Sequence, residues 1–379
     1  MNVGNEQLMH NTPVRYPELD ALRGLAALSV VFHHCFWWFS FFKHYYWAVG
    51  IFPISKFMYG HFAVLFFFVL SGFVLSQPLI GGRRLDYLVY VVRRICRIYL
   101  PFAVVLLLVA FVASFFVLPS PLSPEPDYWS ENVTIGLTAA HLFMTGIGPD
   151  SITLNPPMWS LIQELRISLI FPIIYMLSAR LGWLTYLVNL VISVLAYKIG
   201  IRYGIINSLF YGETLFGSFL LTVYYTQFFT LGCVLAVKMP AAVAFFQRLP
   251  KLVHYLVTAL IIFTPLRFLE SHFHLGELIN SFTAVYVITA CLSLNWMRSF
   301  MLKKPLQWLG HVSYPLYLVH MPIIIVLSLV LSGVIDDKLI CLLTLLVVLV
   351  AAHVFHIYLE LPTIRLGQAA GRLRRQPDV

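Results

Sequence analysis

Charged residues are scarce in this sequence, and their scarcity excludes an ordinary soluble domain. Only 11% of the 379 residues are Asp, Glu, Lys or Arg, whereas soluble domains carry about 25%. Hydrophobic residues make up 60% of the chain, and the mean hydropathy is +0.84. Because one membrane span needs about 20 residues, this composition predicts an all-α polytopic integral membrane protein of about ten transmembrane helices.

Closely spaced cysteines are also absent. The five cysteines are scattered along the chain: Cys35, Cys96, Cys233, Cys291 and Cys341. No CxxC or metal-like cluster occurs, so we expect neither a disulfide framework nor a zinc site. His353 and His356 have a metal-compatible spacing, but no third ligand is evident and we predict no metal. No secretory signal is recognisable, since the first apolar run is too long for its hydrophobic core.

The apolar runs predict ten spans in one membrane domain covering residues 1–379, with no appended soluble domain. The spans are expected near 22–42, 57–79, 98–118, 160–178, 183–200, 216–237, 252–270, 279–297, 312–333 and 339–360. The long loop near 119–159 has no Lys or Arg and is expected outside. Within that loop, residues 133–144 are predicted to form an interfacial helix.

The net charge of +9 could suggest a nucleic-acid partner, but the distribution of charge indicates membrane topology. With the N-terminus in the cytoplasm, eighteen Lys and Arg residues fall on inside segments and six on outside segments. Cytoplasmic loops of membrane proteins concentrate Lys and Arg in this way. We therefore predict that both termini are cytoplasmic, that the lipid bilayer is the surrounding partner and that no nucleic acid binds.

The first predicted span carries an arginine and a histidine pair inside an apolar helix. Arg23 and His34 are eleven residues apart, or roughly 16 Å along a helix at about 1.5 Å per residue. Burying such groups costs on the order of 2.5–3.5 kcal/mol each, so ionisable residues inside a membrane indicate a functional site. His33 is a second candidate beside His34.

A basic cluster precedes the third span. Arg93 and Arg97 are four residues apart and share a helix face, and Arg94 and Arg97 are three apart. Arginines at a helix N-terminus can bind a phosphate. Orientation of the chain, or contact with anionic lipid, explains the cluster equally well.

Two later spans also contain polar residues. Glu164 lies about 7 Å deeper than Trp159 if Trp159 marks the outer interface, and it needs a partner on another span because a buried carboxylate is costly. That partner is either a structural ion-pair member or a substrate. His320, three residues after Tyr317 on the same face, is expected near the middle of the bilayer, as a packing or a catalytic residue.

Taken together, these motifs resemble the membrane-bound acyltransferase family 3, whose members O-acylate extracytoplasmic sugars. The chain is similar to that family in five places, in the expected order. These are Arg23 with His34, residues 67–72 (FFVLSG), residues 93–99 (RRICRIY), residues 159–161 (WSL) with Glu164, and residues 313–317 (SYPLY) with His320. Arg166 stands close after Glu164, where the family usually has an aromatic residue.

The resemblance implies an acyl-CoA donor, most simply acetyl-CoA, in the cytoplasm and a glycan hydroxyl acceptor outside. His34 is then the general base, since the histidine pKa suits this task, with Arg23, Glu164 and His320 as further catalytic candidates. Arg23, Arg93, Arg94 and Arg97 are expected to bind coenzyme A. The resemblance and the topology together imply a plasma or bacterial inner membrane.

Two alternatives remain open at this point. An acyl-histidine intermediate could carry the acyl group instead of direct transfer. A secondary transporter or flippase of a sugar-like or lipid-like solute could use the same intramembrane charges, although no pair of Gly- or Pro-broken spans occurs in matching halves.

Overall fold

The computed structural model describes residues 16–39, 59–80, 85–116, 129, 132–263 and 273–373. These residues form fourteen helices and no strand, apart from an isolated bridge between Ile147 and Gly212. The helices are α1 (Pro17–Trp38), α2 (Gly60–Ser76), α3 (Tyr87–Ala113), α4 (Ile135–Leu142), α5 (Met158–Leu181), α6 (Trp183–Arg202), α7 (Leu215–Val237), α8 (Met239–Arg248), α9 (Lys251–Phe263), α10 (Phe273–Ser293), α11 (Asn295–Met301), α12 (Lys304–His311), α13 (Ser313–Leu331) and α14 (Asp337–Phe355, continuing through His356–Glu360 and Leu361–Leu373).

Seven of these helices are long and apolar enough to cross a membrane: α3, α5, α6, α7, α10, α13 and α14. The three other predicted spans fall on α1, α2 and α9. Helices α2 and α9 are shorter apolar helices, and α1 has 22 residues but includes Glu18, Asp20 and Arg23. The prediction of an all-α polytopic membrane protein is confirmed.

Helices α3 and α14 extend furthest beyond the predicted bounds. Helix α3 begins at Tyr87 rather than near residue 98, because the Asp86 side chain caps it by accepting a hydrogen bond from the Val89 N–H at 3.2 Å. Helix α14 continues beyond residue 360 to Leu373, although Pro362 follows closely. A π-helical turn at His356–Glu360 immediately precedes that proline, and such turns accommodate irregular backbone bonding within a helix.

Glycines allow the central helices to approach very closely. A Cβ atom on Gly72 of α2 would overlap the Phe229 carbonyl of α7, and one on Gly232 of α7 would overlap the Val69 carbonyl of α2. Helix α1 crosses α12 in the same way at Gly24 and Gly310. These close crossings pack α2 against α7 and α1 against α12 in the bundle.

The start of α1 contacts three of the short helices, which places them at one end of the bundle. The Tyr16 hydroxyl lies 3.4 Å from the Met239 sulfur of α8, and Gln307 of α12 donates a 2.8 Å hydrogen bond to the Pro17 carbonyl. Arg298 of α11 pairs with Glu18 at 3.5 Å. Helices α8, α11 and α12 thus gather around the beginning of α1, whereas His34 lies toward its far end.

The segment between α4 and α5 folds in among the helices. Its Met144 and Thr145 carbonyls accept hydrogen bonds from Arg166, at 2.9 Å each, in the third turn of α5. The Leu142 carbonyl also accepts a 3.0 Å bond from the Tyr99 hydroxyl of α3. A helix is present within the stretch 133–144, as α4, and the chain after it enters the bundle; its predicted interfacial position stays a prediction. Backbone at membrane depth requires such internal partners.

Candidate active site

The first of two neighbouring cavities contains most of the predicted cationic residues. We name it the arginine cavity, because Arg23 of α1 and both Arg94 and Arg97 of α3 line it. It contains about 760 Å³ of space, including open solvent. Its other polar lining residues come from three helices, α2, α5 and α13: Ser71, Ser160, Glu164, Ser313, Tyr314 and Tyr317. Arg23 also pairs with Asp20 at 3.4 Å, so three guanidinium groups face two carboxylates. The remaining excess of positive charge suits an anion.

The second cavity is lined by histidines and aromatic residues. We name it the histidine cavity, because His33 and His34 of α1 and His61 of α2 line it. It contains about 580 Å³ of space, including open solvent. Trp159 and Phe210 form an aromatic part of the wall, with ring centroids 5.2 Å apart. No Asp, Glu, Lys or Arg is among its described lining residues, so its surface is polar without carrying fixed charge.

The two cavities follow one another along the same helices. On α1, Arg23 lines the arginine cavity and His34 lines the histidine cavity. On α2, Ser71 lines the arginine cavity and His61 lines the histidine cavity. Val64 and Tyr317 line both cavities. The two cavities are therefore adjacent, and Val64 and Tyr317 form the wall that they share.

Tyr317 is fixed in this wall by hydrogen bonds and by ring contacts. Its hydroxyl donates to the Pro157 carbonyl at 3.1 Å and lies 2.7 Å from the Ser160 hydroxyl. Its ring centroid is 6.0 Å from that of Phe67 in an edge-on contact. These partners hold the tyrosine ring in one orientation between the cavities.

A chain of hydrogen bonds fixes the tautomer of His34. The Nδ1 atom of His320 lies 2.7 Å from the Tyr317 carbonyl, and Nδ1 of His34 lies 3.0 Å from the Val30 carbonyl. A carbonyl oxygen only accepts, so both Nδ1 atoms carry a proton. The Nε2 atom of His320, which lies 3.1 Å from His34 Nδ1, is then an acceptor. This assignment leaves Nε2 of His34 as the basic nitrogen.

His320 contacts His34 but is itself buried outside both cavities. It is fully buried and is not among the residues that line either cavity. The two histidines, both predicted at membrane depth, are therefore in contact, and this geometry would suit a positioning group for His34. Any substrate in the histidine cavity would meet His34 first.

Arg93 does not join the other arginines, contrary to the prediction that it shares their binding face. It is exposed and lies beside the last part of α14, where Cβ atoms on Gly367 and Gly371 would come within 3.3 Å and 3.0 Å of it. Because these glycines let α14 pack closely on Arg93, its side chain is directed toward α14. Arg94 and Arg97 line the cavity without it.

Glu164 lies among the arginines and not beside His34. Its carboxylate accepts a 3.3 Å hydrogen bond from the Ser71 hydroxyl of α2, so it does reach another span. Arg23 and Arg94 line the same cavity. This position offsets part of the arginine charge, and it places Glu164, a catalytic candidate from the sequence, in a different cavity from His34.

Two residues that the sequence associates with the fourth span differ from expectation. Trp159 is only 8% exposed and packs inside the bundle, so it does not mark a lipid interface. Arg166 donates five hydrogen bonds, including those to the Met144 and Thr145 carbonyls. Its guanidinium is fully occupied in holding the inserted segment, which gives the unusual arginine a structural role.

The histidines near the end of α14 have separate partners. His353 accepts a 3.3 Å hydrogen bond from the Trp308 indole, and His356 pairs with Glu360 at 2.7 Å. Among the described residues no three metal-ligating side chains come together. Helix α14 continues past Glu360 to Leu373.

Sequence reasoning overlooked one further pair in the histidine cavity. His61 lies in the first turn of α2, and its Nε2 contacts Glu277 of α10 at 2.5 Å. The two residues are 216 positions apart, and Glu277 falls in a polar stretch before the predicted eighth span. The sequence did contain a signal for this pair, because Glu277 is a carboxylate close to a predicted span.

Comparison with known proteins identifies the family of this chain. A family model described as an acyltransferase domain matches residues 16–359. The chain belongs to the acyltransferase 3 family. This acyltransferase 3 match covers all the residues named above in both cavities, and it favours the acyltransferase prediction over the transporter alternative.

One curated relative comes from Bacillus subtilis and is named "Putative peptidoglycan O-acetyltransferase YrhL". It is 26% identical over 339 residues, which is 82% of this chain and 48% of the relative. The chain thus spans about half the length of the curated relative it matches. No solved structure matches this acyltransferase 3 chain.

Proposed function

We propose that this membrane acyltransferase moves an acetyl group from acetyl-CoA in the cytoplasm to a hydroxyl of an extracytoplasmic glycan. The observation that carries the proposal is the pair of cavities, one cationic and one histidine-lined, that share Val64 and Tyr317. The donor of such a reaction is anionic at its phosphates, and its acceptor hydroxyl needs a base. Each cavity supplies the chemistry that one substrate requires.

The donor would bind with its phosphates in the arginine cavity. Arg23, Arg94 and Arg97 offer guanidinium groups of the kind that bind phosphate in a bidentate manner. His34 lies eleven residues further along α1 than Arg23, or roughly 16 Å. The pantetheine arm of coenzyme A has a comparable length, so phosphates at Arg23 leave the thioester close to the wall at Val64 and Tyr317.

The acceptor would enter the histidine cavity and lose its proton to His34. Nε2 of His34 takes the hydroxyl proton, the alkoxide oxygen attacks the thioester carbonyl, and the carbon–sulfur bond breaks. The departing sulfur then takes the proton from the His34 imidazolium. His320 accepts from Nδ1 of His34 at 3.1 Å, so it stabilises that imidazolium in the way that the third member of a catalytic triad does.

The cytoplasmic side is assigned by charge. The helices gathered around the start of α1 carry Lys and Arg residues: Lys238, Arg248, Arg298, Lys303 and Lys304. Such residues concentrate on the cytoplasmic side of membrane proteins. We therefore propose that the arginine cavity faces the cytoplasm of a bacterial inner membrane, with both termini on that side.

The relative's name supports peptidoglycan as the first acceptor to test. Sealed vesicles of known orientation would receive labelled acetyl-CoA on the side of the arginine cavity and peptidoglycan fragments on the other side. We expect alkali-labile label on the fragments, as an O-acetyl ester gives. Label on protein alone would support the acyl-histidine alternative, and label on neither would overturn the proposed function.

A further inference from the structure

His61 and Glu277 form an acid–base pair that the proposed reaction does not use. The Nε2 atom of His61 contacts Glu277 Oε1 at 2.5 Å, and the Tyr224 hydroxyl of α7 donates to Glu277 Oε2 at 3.2 Å. Both carboxylate oxygens therefore have partners, and each partner comes from a different helix. A carboxylate that accepts from a ring N–H in this way holds the imidazole in one orientation.

The pair has one buried end and one accessible end. The Glu277 side chain is 7% exposed, whereas the His61 side chain is 21% exposed and lines the histidine cavity. A pair that served only to join α2 to α10 would have no reason to present its imidazole to a cavity. The layout is that of a buried carboxylate orienting a ring toward a ligand.

The remaining wall of the cavity indicates what that ligand is. The lining combines the Trp159 and Phe210 rings with His33 and His34, and it includes no charged side chain among the described residues. Apolar ring faces next to neutral hydrogen-bonding groups suit a molecule with both apolar faces and hydroxyls. A sugar ring without charge has these properties.

We propose that His61, oriented by Glu277, positions an uncharged sugar ring of the acceptor by a hydrogen bond, with Trp159 as the face on which the ring packs. This inference rests on the proposed function, because it assigns the acceptor site of the same reaction. His61 is a binding residue in this scheme, and His34 remains the base.

A second His–Glu pair in the chain provides a matched control. His356 contacts Glu360 at 2.7 Å with side-chain exposures of 18% and 7%, close to those of the first pair. These two residues lie within one turn of α14, and neither lines either cavity. Loss of this pair removes the same kind of contact without touching the proposed acceptor site.

The experiment measures binding of chitotetraose, a neutral tetramer of N-acetylglucosamine, and separately of acetyl-CoA, to the full chain in nanodiscs. We expect His61→Ala to weaken chitotetraose binding about tenfold, the loss typical of one hydrogen bond to an oriented ring. Glu277→Gln should weaken it by less, since an amide oxygen still accepts from His61. His356→Ala should bind as the wild type does, and acetyl-CoA affinity should stay unchanged in all three variants.

Steady-state kinetics provide a second measurement, which would not change selectively if His61 had a purely structural role. With the glycan as variable substrate, His61→Ala should raise KM far more than it lowers kcat. Equal chitotetraose binding by wild type, His61→Ala and Glu277→Gln would overturn the inference, and so would absence of binding by the wild type. Binding by the wild type without acetyl transfer would overturn the proposed function and leave the sugar site standing.

Discussion

The arginine cavity and the histidine cavity are built from the same helices yet have opposite chemistry. Three guanidinium groups line the first, whereas the second has no charged side chain among its described lining residues. On α2, the lining changes from one cavity to the other within one helix turn of Val64. Under the proposed function, the cationic cavity would attract the anionic donor, whereas the histidine cavity offers that donor no fixed positive charge and leaves room for a neutral acceptor.

The largest expected effect concerns the base in the histidine cavity. His34→Ala should lower acetyl transfer by about 10³-fold, within the range for removal of a general base, while acetyl-CoA binding stays intact. The measurement is single-turnover transfer, with His33→Ala as the neighbouring control. Similar losses in both variants, or full transfer by His34→Ala, would contradict the assignment of Nε2 of His34.

Next comes the contrast among the arginines. Arg94→Ala and Arg97→Ala should each weaken acetyl-CoA binding by about 10–100-fold, since each removes charge-assisted hydrogen bonds to phosphate. Arg93→Ala is the matched control and should change affinity less than about threefold, because Arg93 faces α14 rather than the cavity. Calorimetric titration distinguishes the three variants. A large loss in Arg93→Ala alone would reverse this assignment.

The shared wall should control the length of the acyl group. Val64→Ala removes two methyl groups between the cavities, so we expect butyryl transfer relative to acetyl transfer to rise several-fold, as one or two methylenes allow. Val74→Ala changes only the arginine cavity and Val30→Ala only the histidine cavity. Competition between the two acyl-CoA donors measures the ratio, and an equal rise in all three variants would remove Val64 from this role.

The smallest effect should follow removal of the Tyr317 hydroxyl. Tyr317→Phe loses its hydrogen bonds to Pro157 and Ser160 but keeps the ring, so the unfolding free energy should fall by about 1–2 kcal/mol. Acetyl transfer should decline only a few-fold. Thermal unfolding with parallel activity assays checks both values. A loss as large as that of His34→Ala would mean that the hydroxyl itself takes part in the reaction.

Much of the fold was predictable because hydrophobic runs of membrane length and the asymmetry of Lys and Arg are local properties of the chain. The sequence predicted that Arg23 and His34 lie at different depths along α1, because the helix rise per residue fixes their separation. It did not predict the direction of Arg93, since that direction depends on Gly367 and Gly371 more than 270 residues later.

The parts that escaped prediction all depend on contacts between distant segments. Nothing near Arg166 indicates that Met144 and Thr145 return to meet it, and nothing near His61 indicates Glu277. Glu164 was expected to seek a partner in another span, but the sequence could not show that Ser71 would be that partner. Helical periodicity gives a face and a depth, whereas the identity of the neighbour on that face is a property of the assembled bundle.

The wall formed by Val64 and Tyr317 has a consequence for the cell that holds this protein. A continuous water-filled passage through the bilayer would let protons and other ions leak and would dissipate the membrane's electrochemical gradient. The two side chains, each only 6% exposed, line both cavities and lie where the cavities meet. Under the proposed function, an acyl group would pass from one cavity to the other at this point, and no channel would have to open across the bilayer.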